Sequence, residues 1–110
     1  MAPVVRFAAF KYKPGTTDAQ KRQSLEGLLK LYEENARLVN HGPVGGYLLV
    51  PRFWGGFDKG FDIVFTLEFK SKEARDEFIP DAKHVAYKMS IMDIVEDVLV
   101  YDFEKGDYGY

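Results

Sequence analysis

Residues 61–69 read Phe61-Asp62-Ile63-Val64-Phe65-Thr66-Leu67-Glu68-Phe69, with an apolar residue at every odd position. Successive strand side chains point to opposite faces, so this period of two predicts a β-strand with one face turned to a core. Upstream, residues 46–53 (GYLLVPRF) predict another strand, and the glycine-rich 54–60 (WGGFDKG) a loop joining the two. Downstream, Ser71 can cap a short helix, SKEARDEFI, which Pro80 stops. A further helical segment runs from about 83 to 93. Residues 97–104 (DVLVYDFE) are apolar on alternate and intervening positions alike until Asp102, the pattern of a strand covered on both faces.

Toward the N-terminus, residues 4–12 (VVRFAAFKY) are β-branched and aromatic and end before Pro14-Gly15, which predicts the first strand. Thr17-x-x-Gln20 fits a capping box, and Asp18 suits the positive end of a helix dipole. Leu25, Leu28, Leu29, Tyr32, Ala36 and Val39 then form one apolar stripe, predicting a long helix that Asn40-His41-Gly42-Pro43 ends. The order is β-α-β-β-α-β, an α+β ferredoxin-like unit. Its helices cover one face of a four-stranded sheet, while the central strand offers both the Phe65 set and the Val64 set. A twofold partner stacked sheet on sheet would bury the remainder, so the expected state is a homodimer.

A chain of 110 residues buries roughly two thirds of its unfolded surface, enough for one core. No linker or repeat divides it, and the reading is a single domain over 1–110, with its core at about 4–104 and a polar tail at 105–110. The formal net charge of −2 gives no footprint for nucleic acid or an anionic membrane. Without cysteine there is no disulfide, thiolate zinc site or thiol nucleophile. The opening APVVRFAAF is interrupted by Arg6 and too short for a signal core or a membrane span, so the default location is cytoplasmic. Nine Phe, seven Tyr and one Trp are more ring surface than a small core needs, and rings line small-molecule pockets and subunit interfaces.

Nucleophile elbows, metal-binding histidine pairs and phosphate-binding glycine loops are missing from the sequence. WGGFDKG lacks P-loop spacing, and no metal or cofactor is called for. Two histidines remain. His41, between Asn40 and Gly42, reads as a turn residue. His84 opens a helix in FIPDAKHVAYKM after a proline-containing turn, and an imidazole is the natural general base near neutral pH. Tyr87, three residues on, shares its helical face and suits a phenolic acid or orienter. Arg6 on the first strand is either a partner for a carboxylate or enolate or a surface ion pair. Tyr32, Tyr47, Trp54 and Phe65 suit either core packing or an aromatic-accepting cavity.

The chain resembles the stress-responsive A/B-barrel family of dimeric α/β barrels over about residues 4–104. The resemblance rests on Phe10-Lys11-Tyr12-Lys13 with Thr17-Asp18-Ala19-Gln20-Lys21, on the strand leading into Phe69, and on Asp81-Ala82-Lys83-His84-Val85 with the closing DVLVYDFE. Within that family it is similar to plant polyketide cyclases of the olivetolic acid type. The resemblance implies that His84 closes a pocket between helices and sheet and serves as the base of an intramolecular aldol condensation. It also implies three departures: Phe78 stands where the cyclase has a tyrosine, and Arg6 and Ile63 stand where it has histidines. Phe78 thereby joins the expected substrate-binding set of Arg6, Tyr32, Tyr47, Trp54 and Phe65.

The expected function is cofactor-free acid–base chemistry (cyclisation, elimination or isomerisation) on a polyketide-like or aromatic carbonyl compound, with His84 and Tyr87 catalytic. Two alternatives stand beside it. One is a non-catalytic homodimer that binds a hydrophobic or aromatic small molecule. The other is a cofactor-independent oxygenase using Trp54 or a tyrosine.

Overall fold

A computed structural model describes residues 2–48 and 58–110. The elements run β1 (Val4–Tyr12), α1 (Asp18–Glu34), a 3-10 turn (Ala36–Leu38), β2 (Val39–Tyr47), β3 (Ile63–Phe69), α2 (Lys72–Phe78), α3 (Ala82–Ile91) and β4 (Val95–Glu104). The strands form one sheet in the order β2-β3-β1-β4, antiparallel at every step. This is the ferredoxin-like α+β arrangement that the element order implies.

Periodicity decides which way β1 and β3 face. Ile63, Phe65, Leu67 and Phe69 of β3, with Val4, Ala8, Phe10 and Tyr12 of β1, are buried against Leu28, Leu31 and Tyr32 of α1 and against Phe78, Tyr87 and Ile91 of α2 and α3. Arg6 belongs to the same inward row and is equally buried. Val64 and Thr66 face the other way, beside Ala9 and Phe7 of β1.

The helix starts are local. Thr17 Oγ1 accepts the Gln20 N–H at 3.1 Å, and Gln20 Oε1 accepts the Thr17 N–H at 2.8 Å, the reciprocal capping box. Ser71 Oγ accepts from the Ala74 N–H at the start of α2. Asp81 Oδ2 accepts from the N–H groups of Lys83 and His84 at the start of α3. Gly27 lets α1 and α3 close on each other, for a Cβ there would lie 3.3 Å from the Tyr87 ring.

Three expectations are corrected. First, α1 stops at Glu34, because Asn35 turns its side-chain amide onto the Leu31 carbonyl and its N–H onto Tyr32 O. Ala36 and Val39 therefore fall outside the helix, and the second strand occupies 39–47 where a turn was expected. His41 lies on that strand, its Nε2 3.4 Å from a Glu68 carboxylate oxygen. Second, the strand expected at 46–53 shares only its first residues with β2; 49–53 and Trp54 lie outside the described residues. Third, β4 is not covered on both faces within one chain: Val98, Leu99, Val100, Tyr101 and Phe103 are all exposed. It is an edge strand, and the helical layer stops short of it.

Candidate functional site

Because the helices do not reach β4, a cavity of about 450 Å³ opens between α1, α3 and the inner faces of β1, β3 and β4. Its walls follow the strand register. Arg6 pairs with Asp102, Ala8 with Val100, and Phe10 with Val98, so β1 and β4 line it level by level from a charged end to an apolar one. Phe65 completes the floor, and Ile91, Met92 and Val95 close the apolar end. Volume and lining suit a small organic ligand.

His84 stands at the charged end, on the first turn of α3. Its Nδ1–H donates to the Ile79 carbonyl at 3.0 Å, since a carbonyl can only accept. That bond fixes the neutral tautomer with its lone pair on Nε2. Nε2 has no protein partner among the described residues. No fully enclosed side-chain nitrogen or oxygen is left unpaired there, so this atom keeps accessible surface, and His84 lines the cavity. Burial pulls the imidazole below its ordinary pKa, helped by the charges of Lys88 and Arg6 and opposed by the Ile79 bond and Asp81. At neutral pH the His84 imidazole is neutral, with Nε2 as its acceptor nitrogen.

Arg6 is no surface ion pair. Its Nε and Nη2 clasp the two oxygens of Asp102 at 2.8 and 3.0 Å, and its guanidinium lies over the rings of Phe69 and Phe78. Asp102 also accepts from Arg75 Nε at 2.8 Å. Burial alone would lower the pKa of Arg6 and raise that of Asp102. The bond between them reverses both, and Asp102 stays a carboxylate. Arg6 Nη1 donates to the Tyr32 hydroxyl at 3.4 Å. The Tyr32 ring stacks on Phe78, with centroids 4.9 Å apart and planes within 14°. Phe78 is fully buried and packs against the His84 ring as well, at 4.3 Å.

Of the expected site residues, Arg6, Tyr32, Phe65, His84 and Tyr87 line one cavity. Phe78 lies behind its wall as the common support of Tyr32 and His84. Tyr47 is elsewhere, exposed at the end of β2 beside Tyr12 and Ile63. Tyr87 lines the cavity with its ring, but its hydroxyl donates to the Ser24 carbonyl at 3.1 Å, and burial pushes its pKa up to about 12. Asp102 and Lys88 were missed from sequence. Asp102 alone carried a signal, as the charge interrupting an apolar strand. Among the described residues no group of three or more His, Cys, Asp or Glu is placed to hold a metal ion. No helix of the described residues is long and apolar enough to cross a membrane.

A ferredoxin-like sheet with a cavity between its uncovered edge and its helices defines a class of small α+β domains. A family model, the Stress responsive A/B Barrel Domain, matches residues 4–105, and the chain belongs to that family. None of the curated proteins compared with it matches. Among solved structures it is similar to the Arabidopsis thaliana protein At3g17210 (TM-score 0.80, 20% identity, covering 97% of this chain and 99% of that one). It is also similar to the hydroxynitrile lyase of Passiflora edulis (TM-score 0.81, 16% identity, 94% and 93% covered). A third is a dimeric ferredoxin-like protein of unknown function from Thermobifida fusca (TM-score 0.73, 17% identity, 94% and 91% covered). At these identities the likeness is one of fold.

Proposed function

We propose that this protein is a small acid–base enzyme of the lyase or cyclase kind. In this reading His84 removes a proton from carbon next to the carbonyl of a hydrophobic, aromatic or polyketide-like compound. The observation that carries the reading is the His84 tautomer: Nδ1–H is tied to Ile79, and Nε2 is left without a protein partner on a residue that lines the cavity. The imidazole takes the proton, the electron pair moves into the carbonyl to give an enolate, and the enolate cyclises, eliminates or is reprotonated by the imidazolium. Phe65, Phe10 and Val100 enclose the carbon skeleton and keep water from the enolate. Tyr87, its hydroxyl engaged by Ser24, orients the substrate with its ring. The chemistry asks for no metal or redox cofactor. A neighbour of the same fold described as a hydroxynitrile lyase supports the reading.

The working unit in this reading is a homodimer. Leu99, Tyr101 and Phe103 form an apolar outer row on β4, beside Val64 of β3 and Phe7 of β1. A neighbour of the same fold is described as dimeric. A second copy would bury this row.

The test is hydrogen exchange. Aryl ketones and 1,3-diketones are incubated with the protein in deuterium oxide, and label entering next to the carbonyl is followed by mass. The native protein should speed exchange, and His84→Ala should lower that rate roughly a hundredfold or more while the protein stays folded. Equal rates for the two would remove the base mechanism. Tight binding without exchange would make the protein a ligand-binding dimer instead.

A further inference from the structure

Arg6 and Tyr32 share a geometry that base catalysis alone does not use. Asp102 takes up two of the three guanidinium nitrogens of Arg6. The third, Nη1, has the Tyr32 hydroxyl 3.4 Å away as its acceptor, and both residues line the cavity. That hydroxyl accepts from Arg6, and its own proton meets no acceptor among the described residues. Both side chains are buried and held: Arg6 by Asp102 and two rings, Tyr32 by stacking on Phe78 and an edge contact with Phe65. Two fixed N–H and O–H donors this far apart can both reach one oxygen atom at hydrogen-bond distance, roughly 2.7–3.1 Å.

We propose that Arg6 Nη1 and the Tyr32 hydroxyl form an oxyanion subsite, which receives the carbonyl oxygen of the substrate and holds it as it becomes an enolate. Asp102 is the positioning residue that aims Arg6. This deepens the reading of His84 as base and rests on it for the reaction, though not for binding. The surroundings agree. Among the described residues no carboxylate lines the cavity, and Asp102 divides its two oxygens between Arg6 and Arg75. Beyond Arg6 the wall runs through Ala8 to Phe10, a span of roughly 13 Å along the strand, and is apolar. The substrate class is therefore a carbonyl compound that enters oxygen first, with an aryl or alkyl body trailing toward Phe10 and Val98.

The experiment uses 4-nitrophenol, whose phenolate mimics an enolate oxygen on an aromatic body and is seen by its absorbance. It is run on His84→Ala, so that the imidazole cannot take the phenol's proton, which instead leaves to solvent. The bound phenol should ionise roughly one pH unit or more below the free phenol, a tenfold preference for the anion. 4-Nitrotoluene, with the same body and no hydroxyl, should bind at least about tenfold more weakly. Tyr32→Phe removes one donor and should lose a large part of the shift. Arg6→Lys and Asp102→Asn should do the same, and Tyr32→Phe carries the test if those two fail to fold.

A bound phenol that ionises at or above its free value overturns the proposal. So does equal binding of the two probes, or no binding of either at millimolar concentration. A shift seen in the native protein and absent from His84→Ala assigns it to the base alone: the subsite falls and the proposed function stands. A shift in His84→Ala together with no deuterium exchange by the native protein keeps the subsite and removes the reaction.

Discussion

The two edge strands of the sheet contradict their own sequences in opposite ways. β2 (VNHGPVGGY) is rich in glycine and turn-forming residues and reads as a loop, yet it pairs along β3. β4 (VEDVLVYDFE) is apolar enough to read as fully covered, yet both its faces are exposed within one chain. β2 is held along β3 largely by backbone pairing, so most of its side chains carry little information about its conformation. β4 has more apolar surface than its own chain covers. Its inner face becomes the wall of a cavity, and its outer face is exposed. Edge position thus hid one strand and made the other look like an interior one.

Opposite faces of β4 should respond to charge in different ways. Leu99 points outward beside Ala9, and Val98 points inward beside Phe10. Leu99→Asp should raise the dimer dissociation constant a thousandfold or more, about 4 kcal/mol, measured by sedimentation. Val98→Asp should leave the dimer intact and abolish binding of 4-nitrotoluene, which titration calorimetry reads directly. A stable micromolar monomer in the native protein would end the distinction between the faces.

Next in size is the buried pair at the charged end. Asp102→Asn leaves Arg6 buried without its counter-ion, and loss of a partner from a buried pair costs about 3–5 kcal/mol. Denaturant titration should show that loss. Glu77→Gln, which breaks the exposed Arg37–Glu77 pair at 2.9 Å, should leave the denaturation midpoint almost unchanged.

Acid should probe the same end more gently. His84 has a folded pKa below its unfolded value, so the unfolded chain binds the proton first as pH falls. Its contribution to stability is complete above the ordinary histidine value of about 6.5 and is lost as pH drops from there through the folded pKa. The thermal midpoint should fall in that window, and His84→Asn should flatten the slope. Exchange activity should fall on the same acid limb, as the free base is protonated.

The smallest effects test β2. Gly42 has φ +93°, and a Cβ there would lie 2.8 Å from Leu67 Cα. Gly42→Ala should therefore destabilise by roughly 1–3 kcal/mol or more. Gly46, four residues along the same strand, has open space around it, and Gly46→Ala should stay within about 0.5 kcal/mol. Equal effects would mean that β2 is not held in this register.

Several features were written locally and could be read without the fold. The period of two in 63–69, the Thr17–Gln20 box, the Ser71 cap and the His84–Tyr87 helix face each depend on residues a few positions apart, the range over which strand and helix geometry repeat. Those signals gave the element order, and the family resemblance then put His84 in a pocket. Other features depended on pairings that no local pattern encodes. Arg6 and Asp102 are 96 residues apart, and only the β1–β4 register makes them a pair. That pairing turned an arginine that could have been a surface ion pair into a buried group aimed at Tyr32. The Ser24 carbonyl, 63 residues from Tyr87, took a hydroxyl that the sequence left available for catalysis. The strand that follows α1 was decided by pairing with β3, whose energy lies in backbone bonds that most side chains permit, and the close approach at Gly42 exists only in that register. The sequence by itself determined periodicity and caps, because those are set by neighbours along the chain. The tertiary structure decided which polar groups meet and which are spent, because burial and register join residues the chain keeps far apart.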